Sequence, residues 1–263
     1  MAPESYNESY EDLLAFAHRL ADAAGAVIRP YFRADHSIED KRPGGSFDPV
    51  TLADKDAETA IRSLIEAEYP DHSIYGEEHG AEWGERFTWV IDPIDGTRSF
   101  IGGFPTWGTL IALAVDRKPV LGIMDQPIIG ERFAGAPAGA WLNDRPLKVR
   151  DCRSLADAVL YSTTPDMFDP DGDMPAFQRV EAQVQMRRFG GDCYQYGMLA
   201  HGLLDLIIEA KMQPYDIQAL IPIVEGAGGI VTNWEGESAH MAGRIIAAGD
   251  RRVHDAALQA LNS

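Results

Sequence analysis

The sequence predicts a layered α/β fold, and three observations support this. Helical periodicity dominates about the first 70 residues, strand-like runs joined by turn residues follow, and helices alternate with strands after about Pro165. There is no internal repeat, and no linker is long enough to separate two domains. We therefore expect a single domain over residues 1–263, with an N-terminal α+β half of about 1–160 and a C-terminal α/β half of about 161–263.

In the N-terminal half, apolar residues recur at helical spacing in "SYEDLLAFAHRLADAAGAVIRPYF", which predicts a first helix. The segment "KRPGGSFDPV" predicts a loop, and a second amphipathic helix is expected to begin near Thr51 and to end before Pro70. The segments "TLIALAVDRKPVLGIMDQP", "ERFAGAPAGAWLNDRPLKV" and "AVLYSTT" predict successive strands arranged as a meander.

In the C-terminal half, helical and extended patterns alternate. Helices are predicted at "MPAFQRVEAQV", at "DCYQYGMLAHGLL" with Asp192 as its N-cap, at "YDIQALIPIVEGAG" and at "RRVHDAALQALN". Strands are predicted at "QMRRFG", "LDLIIEA", "GIVTNW" and "RIIAAG".

The composition excludes several classes of protein. The 41 acidic and 23 basic residues give a formal net charge of −18, which would repel a nucleic-acid backbone. No apolar run approaches the roughly 18–20 residues of a membrane span, and the N-terminus lacks the basic residues of a signal peptide. The two cysteines, Cys152 and Cys193, suit a reducing compartment. We expect a soluble cytoplasmic protein that binds neither membranes nor nucleic acid.

Several common motifs are absent or weak. "DPDGDM" at 169–174 has the wrong glycine position for a calcium loop and predicts an acidic turn. "GAGG" at 226–229 follows a helix and predicts its C-cap. No zinc-protease, nucleophile-elbow or phosphate-loop motif is present, so the sequence gives no support to those chemistries.

The segment "WVIDPIDGTRSF" carries two aspartates, Asp92 and Asp95, directly after an apolar run. If a strand ends at Ile91, both carboxylates can approach one point, and within this segment no basic residue stands before Arg98 to neutralise them. A hard cation such as Mg²⁺ would do so, with the carbonyl of Ile94 as a further ligand. The alternative is a turn with two solvated aspartates.

Acidic residues in three other segments favour a metal site. "SIYGEEHG" carries Glu77 and Glu78 after a short strand, "QPYDIQAL" places Asp216 at a helix start, and the second predicted helix carries Asp54 and Asp56. Asp216 as a simple N-cap, and Asp54 with Glu58 as a solvated helix face, are the alternatives. Acids contributed by four separate segments are typical of a site that holds more than one metal ion.

An anion site is predicted next to these acids. Gly96 and Thr97 are expected to begin a short helix, whose free backbone N–H groups attract anions. Metal ligands beside an anion site indicate a phosphate substrate.

The elements "GEE", "WVIDPIDGTRSF" and "YDIQALIPIVEGAGG" resemble, in order, the three signatures of the inositol monophosphatase family of Mg²⁺-dependent, Li⁺-sensitive phosphatases. The resemblance covers nearly the whole chain and implies the sugar-phosphatase fold, a layered αβαβα sandwich. "GFPTWGTLIAL" and "RFGGDCYQYGMLAHGLLDLIIEA" are most similar to the histidinol-phosphate phosphatase branch. Two departures from the inositol-type pattern are Arg98 with Ser99 where an Asn usually stands, and Tyr215 where a Trp does.

This resemblance implies a set of metal ligands. Glu77, Asp92 and the carbonyl of Ile94 would hold one Mg²⁺ ion, and Asp92, Asp95 and Asp216 a second. A third ion would contact Glu77 through water, so that two or three ions would bind per subunit.

It also implies the catalytic and substrate-binding residues. Asp54 would accept the Thr97 hydroxyl and, with Glu77, would orient the attacking water. Asp95 and the backbone N–H groups of Gly96 and Thr97 would contact the phosphate. The relatives are generally homodimers, and we expect the same here.

The expected substrate is a small phosphate monoester, with L-histidinol phosphate as the leading candidate. Its cationic amine would need acidic residues on the side of the pocket away from the metals, and Asp192 and Glu209 are the candidates. Arg187 and Arg188 could reach a phosphate or a neighbouring subunit, whereas core packing is the simpler role for Trp107, Tyr194 and Tyr196. An inositol or general sugar monophosphatase, a nucleotidase and a non-catalytic metal-binding module remain as alternatives.

Overall fold

The computed structural model describes residues 9–34, 38–40, 49–80 and 82–263. Its α-helices are α1 (Tyr10–Ile28), α2 (Leu52–Glu68), α3 (Thr97–Gly102), α4 (Asp173–Glu181), α5 (Tyr194–Ala200), α6 (Pro214–Ile217), α7 (Leu220–Gly226) and α8 (Arg251–Leu261), with 3₁₀ turns at Leu155–Asp157 and Pro165–Met167. Its strands are β1 (Ile38–Asp40), β2 (Pro49–Thr51), β3 (Ser73–Gly76), β4 (Phe87–Asp95), β5 (Gly108–Val115), β6 (Lys118–Gln126), β7 (Glu131–Ala136), β8 (Gly139–Leu142), β9 (Arg145–Pro146), β10 (Val159–Ser162), β11 (Met186–Phe189), β12 (Leu206–Met212), β13 (Ile230–Asn233) and β14 (Gly243–Ala248).

The predicted helices and strands are confirmed at most positions. Helix α1 begins with a capping box, in which the Ser9 hydroxyl accepts from the Asp12 backbone N–H at 3.2 Å and the Asp12 carboxylate accepts from the Ser9 N–H at 3.3 Å. The long predicted helix at 215–228 is divided into α6 and α7 by a single turn. Residues 41–48 of the predicted loop "KRPGGSFDPV" lie outside the described residues.

Two larger sheets organise the described part of the chain. The first has the strand order β3-β4-β5-β6-β7-β8-β9, in which β3 is parallel to β4 and every later pair is antiparallel. The second has the order β11-β10-β12-β14-β13, and β10 is parallel to both of its neighbours. The meander is therefore confirmed for β5 to β9, but its predicted extension into "AVLYSTT" is wrong because β10 belongs to the second sheet.

The sheets and helices stack in five layers, which confirms the predicted αβαβα sandwich. Helices α1 and α2 cover the outer face of the first sheet, α5 and α7 lie between the sheets, and α4 and α8 cover the second sheet. Because layers cover both faces of the first sheet, strand β5 is apolar on both sides. Leu110 and Ala112 pack into the central layer, while the alternate residues Ile111 and Leu113 pack against the layer of α1 and α2. No helix in the ranges described is long and apolar enough to cross a membrane.

The central layer approaches the first sheet closely at Gly135 of β7. A Cβ atom built there would lie 2.3 Å from backbone atoms of Pro222 and Ile223 in α7. Because these are backbone atoms, a larger residue would have to push the helix away from the sheet.

We predict that Gly135→Ala lowers the free energy of unfolding by about 1–3 kcal/mol, the usual cost of overpacking. Urea denaturation measures this change. Gly172→Ala is the matched control, since no atom lies within 4 Å of a Cβ at that position, and its effect should stay within about 0.5 kcal/mol. Equal effects of the two substitutions would contradict the close packing of α7 on β7.

Candidate active site

Strand β4 contains a β-bulge that brings Asp92 and Asp95 together. Asp92 lies opposite Leu110 and Asp95 opposite Gly108, so that two residues of β4 face the single intervening residue of β5. In a regular strand, residues three apart point to opposite faces, and one extra residue restores them to the same face. The predicted end of the strand at Ile91 is therefore wrong, since the carboxylates are brought together by an irregularity inside the strand.

Local hydrogen bonds hold the bulge. The Thr109 hydroxyl donates to the carbonyl of Pro93 at 2.8 Å, and the backbone N–H of Ile94 donates to the Asp92 carboxylate at 3.1 Å. Pro93 has no N–H to pair, so its position in the bulge leaves no donor unsatisfied.

Asp92, Asp95 and Asp216 form the centre of the site. Each offers one carboxylate oxygen to a group in which all three atoms lie within 4.8 Å of one another. Asp216 reaches this point from the first turn of α6, where its carboxylate accepts from the backbone N–H of Gln213 at 2.7 Å. It is the third residue of that helix and not its N-cap, so the simple N-cap interpretation is wrong.

The three carboxylates are oriented by backbone donors and not by basic side chains. Cys193 donates its N–H to Asp95 at 2.9 Å, as Ile94 does to Asp92 and Gln213 to Asp216. No lysine or arginine in the described ranges forms an ion pair with any of the three aspartates. An oxygen-rich set of this kind fits a hard divalent cation such as Mg²⁺.

Glu77 and Asp54 lie near this centre but outside the tight group of three. Strand β3 runs parallel to β4 with Gly76 opposite Ile91, so Glu77 follows at the same edge as Asp92. Asp54 is buried on α2, and the charges of Glu77 and Asp54 contribute to the raised pKa of Asp92. Asp56, in contrast, points outward and accepts from the Tyr31 hydroxyl at 2.7 Å.

Burial and like charges raise the pKa of every carboxyl group at the centre. Burial, followed by the charges of Glu77 and Asp95, raises the pKa of Asp92 well above its ordinary value. Burial and the charge of Asp192 raise the pKa of Asp95 to about 8, and burial with the charge of Asp95 raises the pKa of Asp216. A bound cation would reverse these repulsions.

The anion site expected at Gly96 and Thr97 stays a prediction, and the structure describes the backbone that would form it. Helix α3 begins at Thr97, preceded by Gly96 with a φ of 88°, a left-handed conformation that favours glycine. A Cβ atom at residue 96 would lie 3.0 Å from the Asp192 side chain. The Thr97 hydroxyl donates to the carbonyl of Ile94 at 3.2 Å, and its expected bond to Asp54 stays a prediction.

A cavity of about 490 Å³ opens beside the acidic centre, between the two halves of the chain. Its wall includes all of the predicted substrate-binding residues, namely Asp95, Gly96, Thr97, Asp192 and Glu209. The cavity thus extends from the three aspartates toward the C-terminal half.

Asp192 is held at the cavity wall by contacts that the sequence analysis missed. Its carboxylate oxygen Oδ2 accepts from the hydroxyls of Ser99 and Thr106, each at 2.6 Å. The N-cap position of α5 belongs to Cys193, so the prediction of Asp192 as a helix cap is wrong. Its φ of 43° is left-handed, a conformation that aspartate tolerates better than most residues.

Glu209 is a buried acid at the same wall, and protein donors already surround it. Its Oε1 accepts from the backbone and hydroxyl of Thr163 and from Gln195, while its Oε2 accepts from the Tyr196 hydroxyl at 2.7 Å. Glu209 therefore has less remaining capacity for a ligand than Asp192, whose Oδ1 accepts no hydrogen bond from the described residues.

The remaining predicted residues lie away from the acidic centre. Trp107 is part of the core, and the Tyr194 hydroxyl donates to Glu131. Arg187 pairs with Glu181 and lies over the ring of Phe189, and Arg188 is exposed.

The five-layer sandwich, with an acidic centre and a cavity between its halves, defines the class of protein as a phosphomonoester hydrolase of the sugar-phosphatase type. The model of the inositol monophosphatase family matches residues 9–263. The chain belongs to the inositol monophosphatase family.

Individual relatives agree with this assignment. The chain is 42% identical to the bifunctional phosphatase IMPL2 of Arabidopsis thaliana, with 98% of this chain and 80% of the relative aligned. It is 36% identical to a histidinol-phosphatase of Streptomyces coelicolor, over 96% of this chain and 98% of the relative. The solved structure of an inositol monophosphatase from Zymomonas mobilis is 43% identical and superimposes with a TM-score of 0.88, over 97% of this chain and 100% of that one.

The raised pKa values predict how the stability of the metal-free protein depends on pH. An aspartate in an unfolded chain titrates near about 4, whereas Asp95 titrates at about 8 in the folded state. The folded state therefore binds more protons between these values, and its stability should fall as the pH rises through this window. Calorimetry in the presence of a chelator should give a lower Tm at pH 8 than at pH 6.

Added Mg²⁺ should raise the Tm more at pH 8 than at pH 6, because ligands must lose their protons to bind a metal. In Asp95→Asn, which lacks the titrating group, the difference between the two pH values should shrink. If the Tm depended on pH in the same way in the wild type and in Asp95→Asn, the raised pKa of Asp95 would not be the cause of the pH dependence.

Proposed function

We propose that this chain is a Mg²⁺-dependent phosphatase that hydrolyses L-histidinol phosphate to L-histidinol and inorganic phosphate. The observation that carries the proposal is the convergence of Asp92, Asp95 and Asp216 beside the start of α3. An oxygen-ligand centre next to free backbone N–H groups suits a phosphate ester, which needs its charge neutralised and its oxygens held.

The acidic residues would hold two or three ions. Glu77, Asp92 and the carbonyl of Ile94 would bind one ion, Asp92, Asp95 and Asp216 a second, and Glu77 a third through water. When bound, Mg²⁺ lowers the pKa of a coordinated water and stabilises the charge that develops on the phosphoryl oxygens.

The chain itself positions the reacting groups. The backbone N–H groups of Gly96 and Thr97 would donate to the phosphate, and Asp95 would lie against it. Asp54 and Glu77, with the Thr97 hydroxyl, would orient the attacking water for in-line displacement. Because none of these groups is proposed to bond covalently to phosphorus, catalysis would rest on positioning and electrostatics.

The assignment of the substrate rests on Asp192, which lines the cavity beside Gly96 and Asp95 and not, as predicted, on the side away from the acidic centre. The amine of L-histidinol phosphate is cationic near neutral pH, and the Oδ1 of Asp192 accepts no hydrogen bond from the described residues. Histidinol-phosphatases of Chlorobaculum parvum and Streptomyces coelicolor, each 36% identical to this chain, support the same choice. The proposal includes the cytoplasmic location expected from the sequence and the homodimer that the resemblance implies.

Inositol monophosphate is the second candidate substrate. It is favoured by the similarity to the inositol monophosphatase of Zymomonas mobilis. The two candidates differ in charge at the end remote from the phosphate, so direct comparison separates them.

We predict that phosphate release from L-histidinol phosphate requires Mg²⁺, stops when a chelator is added and exceeds that from inositol 1-phosphate by about 100-fold in kcat/KM, or about 2.7 kcal/mol. Asp95→Asn should nearly abolish turnover of both substrates while circular dichroism stays unchanged. Comparable rates on both substrates would contradict the assignment of L-histidinol phosphate as the preferred substrate. Turnover that continues in the presence of a chelator would contradict the requirement for Mg²⁺.

We also predict that Asp192→Asn lowers kcat/KM for L-histidinol phosphate by about 10- to 100-fold, the effect of losing a charge-assisted hydrogen bond. The amide oxygen can still accept from Ser99 and Thr106, so the local fold should persist. Inositol 1-phosphate is the internal control and should change by less than about 3-fold. An equal loss on both substrates would show that Asp192 does not recognise the amine.

A further inference from the structure

Glu58 is a fully buried carboxylate that lies outside the predicted set of site residues. It stands on α2 one turn after Asp54 and is 0% exposed, so the interpretation of this pair as a solvated helix face is wrong. A buried carboxylate without partners would be strongly unfavourable, and Glu58 has several.

The partners of Glu58 belong to the turn that carries Glu77. Its Oε2 accepts from the backbone N–H of Glu78 at 2.7 Å, and its Oε1 accepts from the N–H of His79 at 3.1 Å. The two oxygens thus bind the two residues that directly follow Glu77. A carboxylate that accepts two successive N–H groups fixes the direction of the backbone at that point.

Arg62 completes this arrangement from the next turn of α2. Its Nε donates to Glu58 at 2.6 Å, and its terminal NH2 group donates to the carbonyl of Gly80 at 2.6 Å. The turn from 76 to 80 is closed by a bond of 3.1 Å from the Gly76 N–H to the same carbonyl. The middle and the C-terminal end of the turn are therefore tied to α2 by one ion pair.

Gly76 provides a second, steric indication of this contact. A Cβ atom at residue 76 would lie 2.2 Å from Oε1 of Glu58, so the glycine of "GEE" is the residue that lets the carboxylate reach the turn. Since the backbone of Gly76 is not left-handed, the requirement comes from the close approach and not from its φ angle.

We propose that Glu58 is a positioning residue for the metal centre: it holds the turn at residues 77–80 so that Glu77 faces Asp92. This inference rests on the proposed role of Glu77 as a metal ligand. Glu58 itself lies behind the turn and contacts the backbone of the residues after the ligand. Groups of this kind, which orient a ligand from behind, commonly change metal affinity by about 10- to 100-fold when they are removed.

The test measures metal binding directly, with Mn²⁺ as the probe and electron paramagnetic resonance to quantify the free ion. In Glu58→Gln, one acceptor oxygen is replaced by an NH2 group that cannot accept, and we expect the affinity for Mn²⁺ to fall by about 10-fold. At saturating Mg²⁺, kcat should return to within about 3-fold of the wild type, because mass action refills the site. Glu66→Gln, an exposed substitution two turns later on α2, is the matched control and should leave binding unchanged.

Two further variants make each outcome decisive. If Glu58→Gln does not fold, Arg62→Gln removes the ion pair at a partly exposed position and should still weaken Mn²⁺ binding by about 3-fold. Wild-type affinity in a folded Glu58→Gln or Arg62→Gln, even with a lowered Tm, would overturn the proposal and leave Glu58 a purely structural role. Wild-type affinity in Glu77→Gln would instead overturn the proposed metal ligand, which is a separate failure.

Discussion

The negative charge gathered at the buried Asp92 and the half-buried Asp95 and Asp216 is the constraint on which the rest of this structure depends. Removing a carboxylate from water costs several kcal/mol even after relaxation, and here three are gathered within 4.8 Å. A backbone N–H directed at each carboxylate and an open cavity beside them reduce this cost. The apolar core of the sandwich on either side offsets part of the remainder.

The site is shared between the two halves of the chain, and each half supplies some of its acidic residues. The first sheet provides Asp92 and Asp95 at the bulge, and the second half provides Asp216 together with the wall at Asp192 and Glu209. The hydrogen bonds from Ser99 and Thr106 to Asp192 cross this division. The acidic centre and the cavity wall at Asp192 are therefore held in position by direct contacts and not only by the packing of the layers.

Local patterns were sufficient to predict the helices, most strands and the acidic residues. The carboxylates at 92 and 95 lie in one short segment, and the buried face of α2 follows from its 3.6-residue period. That period also places Asp54 and Glu58 on the same face as Ala57 and Ile61, a signal of their burial that was available in the sequence.

The features that could not be predicted depend on contacts between distant segments. Ser99 and Thr106 meet Asp192 across 93 and 86 residues, and no local pattern marks such a pair. The strand character of β10 was evident, but the sheet that it joins is decided by tertiary pairing with β11 and β12. The bulge was hidden for a related reason, because it exists only in the register of β4 against β5.

Because of that bulge, the number of residues between Asp92 and Asp95 matters for the geometry of the site. With two residues between them the acids share one face of the sheet only because of the bulge, and an added residue would have to be absorbed by the pairing with β5. A deleted residue would give a regular strand, with both acids still on one face but without the extra residue of the bulge. Substitution of the intervening Ile94 changes a side chain, but insertion or deletion changes the bulge itself. Over evolution, this segment should therefore accept substitutions far more readily than insertions or deletions, because the position of the two acids depends on the number of residues between them.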